Sequence, residues 1–388
     1  MVSQQKHRCF DMKAILAENN LDVSGEFWKE RIERITPDEV ERALSEQPGL
    51  YRLEKLAALV APAAEDYLEQ MARLSQKLTV RRFGKTIRLY APLYLSNYCV
   101  NCCLYCGFNC EHKFNRVRLS VEQAVAEAGI IASEGFRDIL LVSSEDRQFI
   151  TVKYLAELAA KLRAKFSSIS IEVYQMDTTQ YGELFKAGID GVTLYQETYD
   201  RDAYRCCHLH GPKCDYDNRL ATPGYAAAAG MRQIGLGVLL GLKDWRVETL
   251  ALAEHAHSLM KHYWQCHISF SFPRLRPAFG TSYGESQYRV TDRNLVQMIT
   301  ALRLCFADAG LVLSTREPAW LRDKLIKLGV TKMSAGSRTN PGGYSGQTKT
   351  VGQFEIDDRR SPSEVSGMLR RQGFEPVWKD WDAAFQIP

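Results

Sequence analysis

Leu93-Tyr94-Leu95-Ser96-Asn97-Tyr98-Cys99-Val100-Asn101-Cys102-Cys103-Leu104-Tyr105-Cys106-Gly107-Phe108-Asn109 joins a short apolar run to three cysteines spaced Cys-x-x-x-Cys-x-x-Cys. Three thiolates can hold three irons of a cubic 4Fe–4S cluster and leave the fourth without a protein ligand, free to take a substrate or cofactor. A cluster that only carries electrons is closed by four cysteines, and a structural zinc site also takes four ligands. Cys102 opens a second reading, two adjacent zinc knuckles at Cys99/Cys102 and Cys103/Cys106. Against it, the neighbours Cys102 and Cys103 point apart unless the backbone turns sharply. A disulfide framework suits short secreted chains, not 388 residues with 11 cysteines.

The run 93–96 is the first of eight short β-rich segments that alternate with amphipathic helices. The others are expected at 138–143, 168–174, 191–196, 233–240, 266–271, 311–315 and 330–334. Eight such units predict an α/β fold of the (β/α)8 TIM-barrel type over residues 89–337. Residues 1–88 read as an N-terminal helical extension. Thr36-Pro37-Asp38-Glu39 is a capping box with proline at the first helical position, and 53–78 repeats Leu, Ala, Met and Tyr at helical spacing. Ser120-Val121-Glu122-Gln123 starts another helix, Pro318 opens the seventh, and Ser361-Pro362-Ser363-Glu364 begins the last one, in a short C-terminal extension over 338–388.

Composition narrows the partners. Lys plus Arg number 50 against 46 Asp plus Glu, so the charge balance asks for neither nucleic acid nor an anionic membrane. The basic residues Arg81, Arg82, Lys85 and Arg88 are interrupted by apolar ones and read as a solvated or sheet-edge segment. The first twenty residues carry no apolar signal core, and the longest apolar run, 234–242, is far short of a membrane span. A cytoplasmic location is expected, and a reducing compartment suits oxygen-sensitive thiolates.

In a parallel barrel the working residues sit at the carboxyl ends of the strands. That rule directs attention to the strand ends Ser143-Ser144-Glu145-Asp146, Gln196-Glu197-Thr198-Tyr199-Asp200 and Thr315-Arg316-Glu317-Pro318. Arg274 and Arg276 stand between prolines after the sixth strand. Arg219, at the start of the helix before the fifth strand, has the fork geometry for a carboxylate, with a surface salt bridge as the alternative. Cys206, Cys207, His208, His210 and Cys214 have the residue types for a metal, but their spacing matches no common zinc knuckle. His255 and His257 lie on different sides of one helix, and Cys266 and Cys305 read as buried small hydrophobes.

The cysteine spacing, with Tyr105 directly before Cys106, resembles the signature of the radical S-adenosylmethionine (SAM) enzymes. The wider string 93–109 and the segment Gln196-Glu197-Thr198-Tyr199 are similar to one branch of them, the aromatic amino-acid lyases, and within it to the tyrosine lyases of thiamine biosynthesis. The resemblance implies a 4Fe–4S cluster on Cys99, Cys103 and Cys106 with one open iron. It also implies SAM as cofactor, contacted by Tyr105, Glu145, Gln196, Glu197 and Arg219. Arg316, with Thr315, stands where such enzymes grip the substrate carboxylate. Ser143 and Ser144 depart from the glycines usual beside the acidic residue.

The activity implied is cleavage of the Cα–Cβ bond of L-tyrosine to 2-iminoacetate (dehydroglycine) and p-cresol, with 5′-deoxyadenosine and methionine. The implied partners are thiazole synthase and an electron donor such as flavodoxin or ferredoxin. A hydrogenase-maturation relative would carry a further cysteine motif near its C-terminus, and here no cysteine follows Cys305. A tryptophan lyase would share the cluster and the carboxylate arginine but differ in the ring pocket. A zinc-bound scaffold, the reading from another class, would want basic and aromatic residues around the knuckles, where only Lys113 and Arg116 follow His112.

Overall fold

A barrel strand sends alternate side chains outward to its helices and inward to the lumen. In the strand β1 (Thr86–Ser96), Ile87, Leu89, Ala91, Leu93 and Leu95 belong to the main core, while Tyr90 and Tyr94 join a separate inner cluster with Leu140 and Val142. The computed structural model describes residues 11–22, 26–281 and 286–380. After β1 come β2 (Cys102–Cys103), β3 (Asp138–Ser143), β4 (Ser168–Glu172), β5 (Gly191–Thr193), β6 (His208–His210), β7 (Gln233–Gly237), β8 (His267–Ser271), β9 (Gly310–Leu313), β10 (Lys332–Ser334) and β11 (Glu375–Val377). Parallel pairing runs β1-β3-β4-β5-β7-β8-β9-β10 and returns to β1 through Arg88↔Lys332 and Leu89↔Met333. This is a closed (β/α)8 barrel. The remaining strands lie outside that ring: β2 and β6 form a small antiparallel ladder, and β11 extends the sheet along the start of β1.

Several expected boundaries move for physical reasons. β1 begins at Thr86 because β10 and β11 both pair with its first residues. The segments expected at 191–196 and 233–240 end as regular strands at Thr193 and Gly237 and continue through irregular backbone hydrogen bonds, such as Gln196 N to Gly237 O at 3.1 Å, and the single bridges Glu197↔Val238 and Leu240↔Arg274. The helix expected over 53–78 is broken. Leu53–Val60 stops at Ala61, Pro62–Tyr67 forms a 3-10 turn, and Leu68–Phe83 resumes. Pro62 has no N–H to donate, and Gln297 Nε2 donates instead to the carbonyls of Leu59 and Ala61, at 3.1 and 2.8 Å. The capping boxes at Thr36, Ser120 and Ser361 form as expected, and Pro318 caps Ala319–Leu325.

Arg88 is neither solvated nor at an edge. It points into the amino-terminal end of the barrel and pairs with Asp138 at 2.5 Å, while Lys332 reaches the same carboxylate at 3.1 Å. Burial pushes the Asp138 carboxyl up, and the two cations overcome that and hold it below the usual range. Arg232 and Asp190 add a second pair at 2.8 Å. This charged plug fills the amino-terminal mouth, so chemistry is confined to the other one. No helix among the described residues is long and apolar enough to cross a membrane. The start of the chain before Asp11 and the terminal segment from Trp381 lie outside the described residues.

Candidate active site

The cysteine loop leaves β1 at Ser96 and is tied down on three sides. Toward β3, the Ser96 hydroxyl donates to Asp146 at 2.7 Å, and the Ser144 hydroxyl faces the carbonyls of Ser96 and Tyr98. The serine standing in place of a glycine is therefore an anchor for the loop. Toward β6, Cys102 and Cys103 pair with His210 and His208, and Leu104 N donates to Cys207 O at 3.0 Å. Gly211, at φ +95°, permits this approach, since a Cβ there would lie 2.4 Å from Asn101 Oδ1. Toward the C-terminal segment, Gly107 N donates to Gln353 O at 3.0 Å, and a Cβ on Gly107 would come within 2.7 Å of Gly352 O. Arg116 gathers the carbonyls of Asn97, Phe108 and Asn109 from within the loop.

Cys103 is buried and Cys99 and Cys106 are half-buried. Burial raises all three thiols, Cys106 to about 11, and Cys99 and Cys103, like Cys106, are near enough to sense one another's charge. Deprotonation must then be supplied by a bound cation, as iron or zinc would do. Cys102 lies within hydrogen-bond reach of Cys110, which also senses the charge of Cys99. Among the described residues no three His, Cys, Asp or Glu side chains converge on a single ion. A cubane asks for something else, thiols placed on separate irons around a larger volume. N–H groups face the sulfurs: Asn101 N lies 3.4 Å from Cys99 Sγ and Gln353 Nε2 lies 4.0 Å from Cys106 Sγ.

Beside the loop, Glu197 sits in the left-handed region at φ +70°, a strained position for a residue with a side chain. Its carboxylate pairs with Lys213 at 2.6 Å and lies 4.0 Å from Arg219. Burial raises this carboxyl, but the two cations outweigh burial and leave it below the ordinary range. The strained turn is gripped from outside by Glu248 on the helix Trp245–His262, which accepts from Thr198 Oγ1 at 2.6 Å and Tyr199 N at 2.9 Å. Arg219 is buried, not on the surface, and its Nε donates to Tyr195 O at 2.8 Å. Glu145 is buried under the loop and holds Asn101 Nδ2 at 3.1 Å and Arg147 at 2.5 Å. Gln196 is buried, and among the described residues both its amide atoms lack a partner.

The Cys206–Cys214 segment is a brace. His208 Nδ1 lies 2.8 Å from Tyr204 O and its Nε2 lies 2.8 Å from the Tyr105 hydroxyl. Burial lowers this imidazole to about 3, so it stays neutral. Cys206 is exposed, and Cys214 donates to His208 O. Sequence reasoning missed Lys213, which lies in the brace 16 residues past Glu197, and Gln353, which reaches Cys106 across 247 residues.

Arg316 lies at the rim of a cavity in the barrel lumen, lined by Tyr90, Tyr94, Glu172, Tyr195, Thr315 and Phe354 among others. Its guanidinium stacks on Phe354, 3.4 Å from the ring centre, and makes no ion pair among the described residues. Thr315 is buried beside it, with its N–H on Ser334 Oγ at 3.1 Å. Arg274 and Arg276 are spent elsewhere, on Glu317 and Asp357. The donor set thus offers three thiols, an orphaned buried amide, a cation-flanked carboxylate and a free arginine around one barrel mouth, which fits a thiolate-held cluster beside a polar, zwitterionic ligand.

Residues 93–253 match the radical SAM superfamily and residues 271–375 the biotin and thiamin synthesis associated domain. The chain is 44% identical over 354 residues to the 2-iminoacetate synthase of Escherichia coli K12, covering 91% of this chain and 93% of that one. The 2-iminoacetate synthase of Salmonella typhimurium LT2 is also 44% identical, with 91% and 93% covered. Among solved structures, the FeFe-hydrogenase maturase HydG from Carboxydothermus hydrogenoformans superposes with a TM-score of 0.83 at 33% identity, over 97% of this chain and 86% of that one.

Proposed function

The chain belongs to the 2-iminoacetate synthase family of radical SAM enzymes, and from that premise we propose that it cleaves the Cα–Cβ bond of L-tyrosine to 2-iminoacetate and p-cresol, for the thiazole moiety of thiamine. The observation that carries the reading is Arg316, a guanidinium without an acid partner at the rim of a lumen cavity otherwise rich in aromatic rings. A free amino acid brings two charges into such a site, and each needs a partner there.

Cys99, Cys103 and Cys106 would hold a 4Fe–4S cluster, and Glu145, Gln196, Glu197, Arg219 and Tyr105 would line the SAM side of the mouth. When bound, cluster and SAM supply one-electron cleavage of the sulfonium and the hydrogen abstraction that follows. The chain's own residues bind, orient and exclude water. Arg316 fixes the α-carboxylate, and the Phe354 ring holds its planar fork in place. Lys213 and Arg219 neutralise Glu197, so that its carboxylate can accept hydrogen bonds in a buried site without a proton. Tyr90, Tyr94 and Tyr195 wall off the lumen below. Thiazole synthase as recipient of the unstable imine, a flavodoxin or ferredoxin as electron donor and a cytoplasmic location complete the proposal.

The test is anaerobic incubation of reconstituted protein with SAM, a reductant and either tyrosine or tryptophan. Chromatography should find p-cresol and 5′-deoxyadenosine with tyrosine alone; indole products from tryptophan, and none from tyrosine, would overturn the substrate. Cys103→Ala should lose iron and its brown absorbance while keeping the circular dichroism of the barrel.

A further inference from the structure

Glu172 is the last residue of β4 and lines the lumen cavity together with Arg316. Its strand neighbours Ile169 and Ile171 belong to the outer core, so the alternation of the strand turns Glu172 inward. In register it stands opposite Val142, which stands opposite Tyr94. The Tyr94 hydroxyl donates to Gln353 Oε1 at 2.7 Å, and Gln353 in turn faces Cys106. Glu172 therefore occupies the lumen layer directly beneath the cysteine loop. Its carboxyl forms no hydrogen bond or ion pair among the described residues, yet charges surround it: Arg316 on the substrate side, and Glu197, Arg219 and Lys213 on the SAM side. Burial, with help from Glu197, raises it to about 7.

A group placed between the two ligand sites meets the atom on which they act. Under the proposed function, the family resemblance implies that hydrogen is taken from the α-amino nitrogen of tyrosine, which arrives as an ammonium. Its N–H bonds suit hydrogen abstraction only once one proton has been lost, and the site needs an acceptor for that proton. Resting on that reading, we propose that Glu172 is the catalytic base: its carboxylate accepts a hydrogen bond from the tyrosine ammonium and takes one proton. The N–H bond breaks heterolytically, its electron pair stays on nitrogen, and an O–H bond forms on Glu172. The step consumes no oxidant or reductant and leaves a neutral amine beside a neutral carboxylic acid. Arg316 remains the only ion on the substrate side with a charge to match, that of the α-carboxylate.

Glu172→Gln and Glu172→Asp are compared with wild-type protein. Loss of a general base lowers rate by roughly 10²- to 10⁴-fold, so Glu172→Gln should slow p-cresol formation by about 100-fold or more, with the half-saturating SAM concentration unchanged. Glu172→Asp should recover part of the rate. Calorimetry on the same proteins without SAM gives the second readout. Tyrosine and phenylalanine, which share an ammonium, should lose affinity alike in Glu172→Gln. The fall of wild-type tyrosine affinity on acidifying below pH 7 should flatten. The charged or titratable groups facing Glu172 that must keep their state in this range are Tyr90, Tyr94, Tyr195, Glu197, Lys213, Arg219 and Arg316. A loss confined to tyrosine would put the carboxyl at the phenol end and overturn the assignment, as would a loss that falls on SAM or a wild-type rate of p-cresol release. Wild-type protein that releases no p-cresol at all overturns the lyase reading and this one with it, a result distinguishable from failure of the variant alone.

Discussion

Glu317 gives both carboxylate oxygens to Arg274, with Nε at 3.0 and 3.1 Å, and so leaves its neighbour Arg316 without an acid. An adjacent Arg-Glu pair in sequence invites the expectation that the two neutralise each other. Here the strand end turns them apart, one into the wall and one over the cavity on the face of Phe354. Arg316→Ala should weaken tyrosine binding by about 2–5 kcal/mol, the usual cost of stripping one member from a buried, hydrogen-bonded charge pair. Slow SAM cleavage without p-cresol should persist. Arg316→Lys should recover little, because a lysine keeps the charge but not the fork. Calorimetric titration with tyrosine decides it, and an unchanged dissociation constant would reject the carboxylate assignment.

Lys213 and Glu197 form a close ion pair on the SAM side, at 2.6 Å, with both side chains largely shielded from solvent. Removing either partner strands the other charge, at a cost of about 3–5 kcal/mol, whereas removing both costs less. Lys213→Met should therefore abolish measurable SAM binding, Glu197→Gln should weaken it, and the double variant should show coupling in a mutant cycle. Additive losses would mean that the two side chains act on SAM separately.

What the sequence made legible was local. The cysteine trio, the Ser-Ser-Glu turn, Gln196-Glu197 and Thr315-Arg316 each lie just after a short β-rich run, where the barrel rule directs attention. Lys213 and Gln353 could not be found that way. Lys213 sits on a brace 16 residues past Glu197 and not at a strand end, and Gln353 reaches Cys106 across 247 residues. Arg88 misled for the opposite reason. Its neighbours Arg81, Arg82 and Lys85 look like a solvated run, but the strand starts at Thr86 and carries Arg88 inside to Asp138. The break at Pro62 was readable from proline alone, and helical periodicity on both sides masked it.

Gly107 has room for no side chain against Gly352 O at 2.7 Å, and the contact is backbone on backbone, so neither partner can rotate away. Gly107→Ala should push the 350–354 segment off the cysteine loop, lengthening the Gly107–Gln353 hydrogen bond and withdrawing Gln353 from Cys106. Overpacking of this kind costs about 1–3 kcal/mol. The expected signature is a lower melting temperature with faster loss of iron in air, and faster proteolysis within 345–354. A variant with wild-type melting and proteolysis would show that this docking is dispensable.

Buried acids and histidines pull the pH dependence of stability in opposite directions. His208 and His255 are neutral in the fold, each lowered by burial from 6.5 to about 3, so their contribution is present above pH 6.5 and lost as pH falls below it, where the unfolded chain takes up protons first. Glu172 and Glu248 behave the other way. Burial raises each from 4.5 to about 7, so the folded chain holds the extra proton, and their contribution is full below pH 4.5 and lost as pH rises through 7. Between pH 4.5 and 6.5 the two sets offset each other. Glu248→Gln keeps an oxygen to accept from Thr198 and Tyr199 but no longer titrates, so one compensating contribution disappears. Relative to wild type, the variant should lose about 1 kcal/mol of additional stability for each unit of acidification in that window. Denaturant melts at several pH values from 4.5 to 7 measure this slope directly, and parallel curves for the two proteins would show that Glu248 is already ionised in the fold.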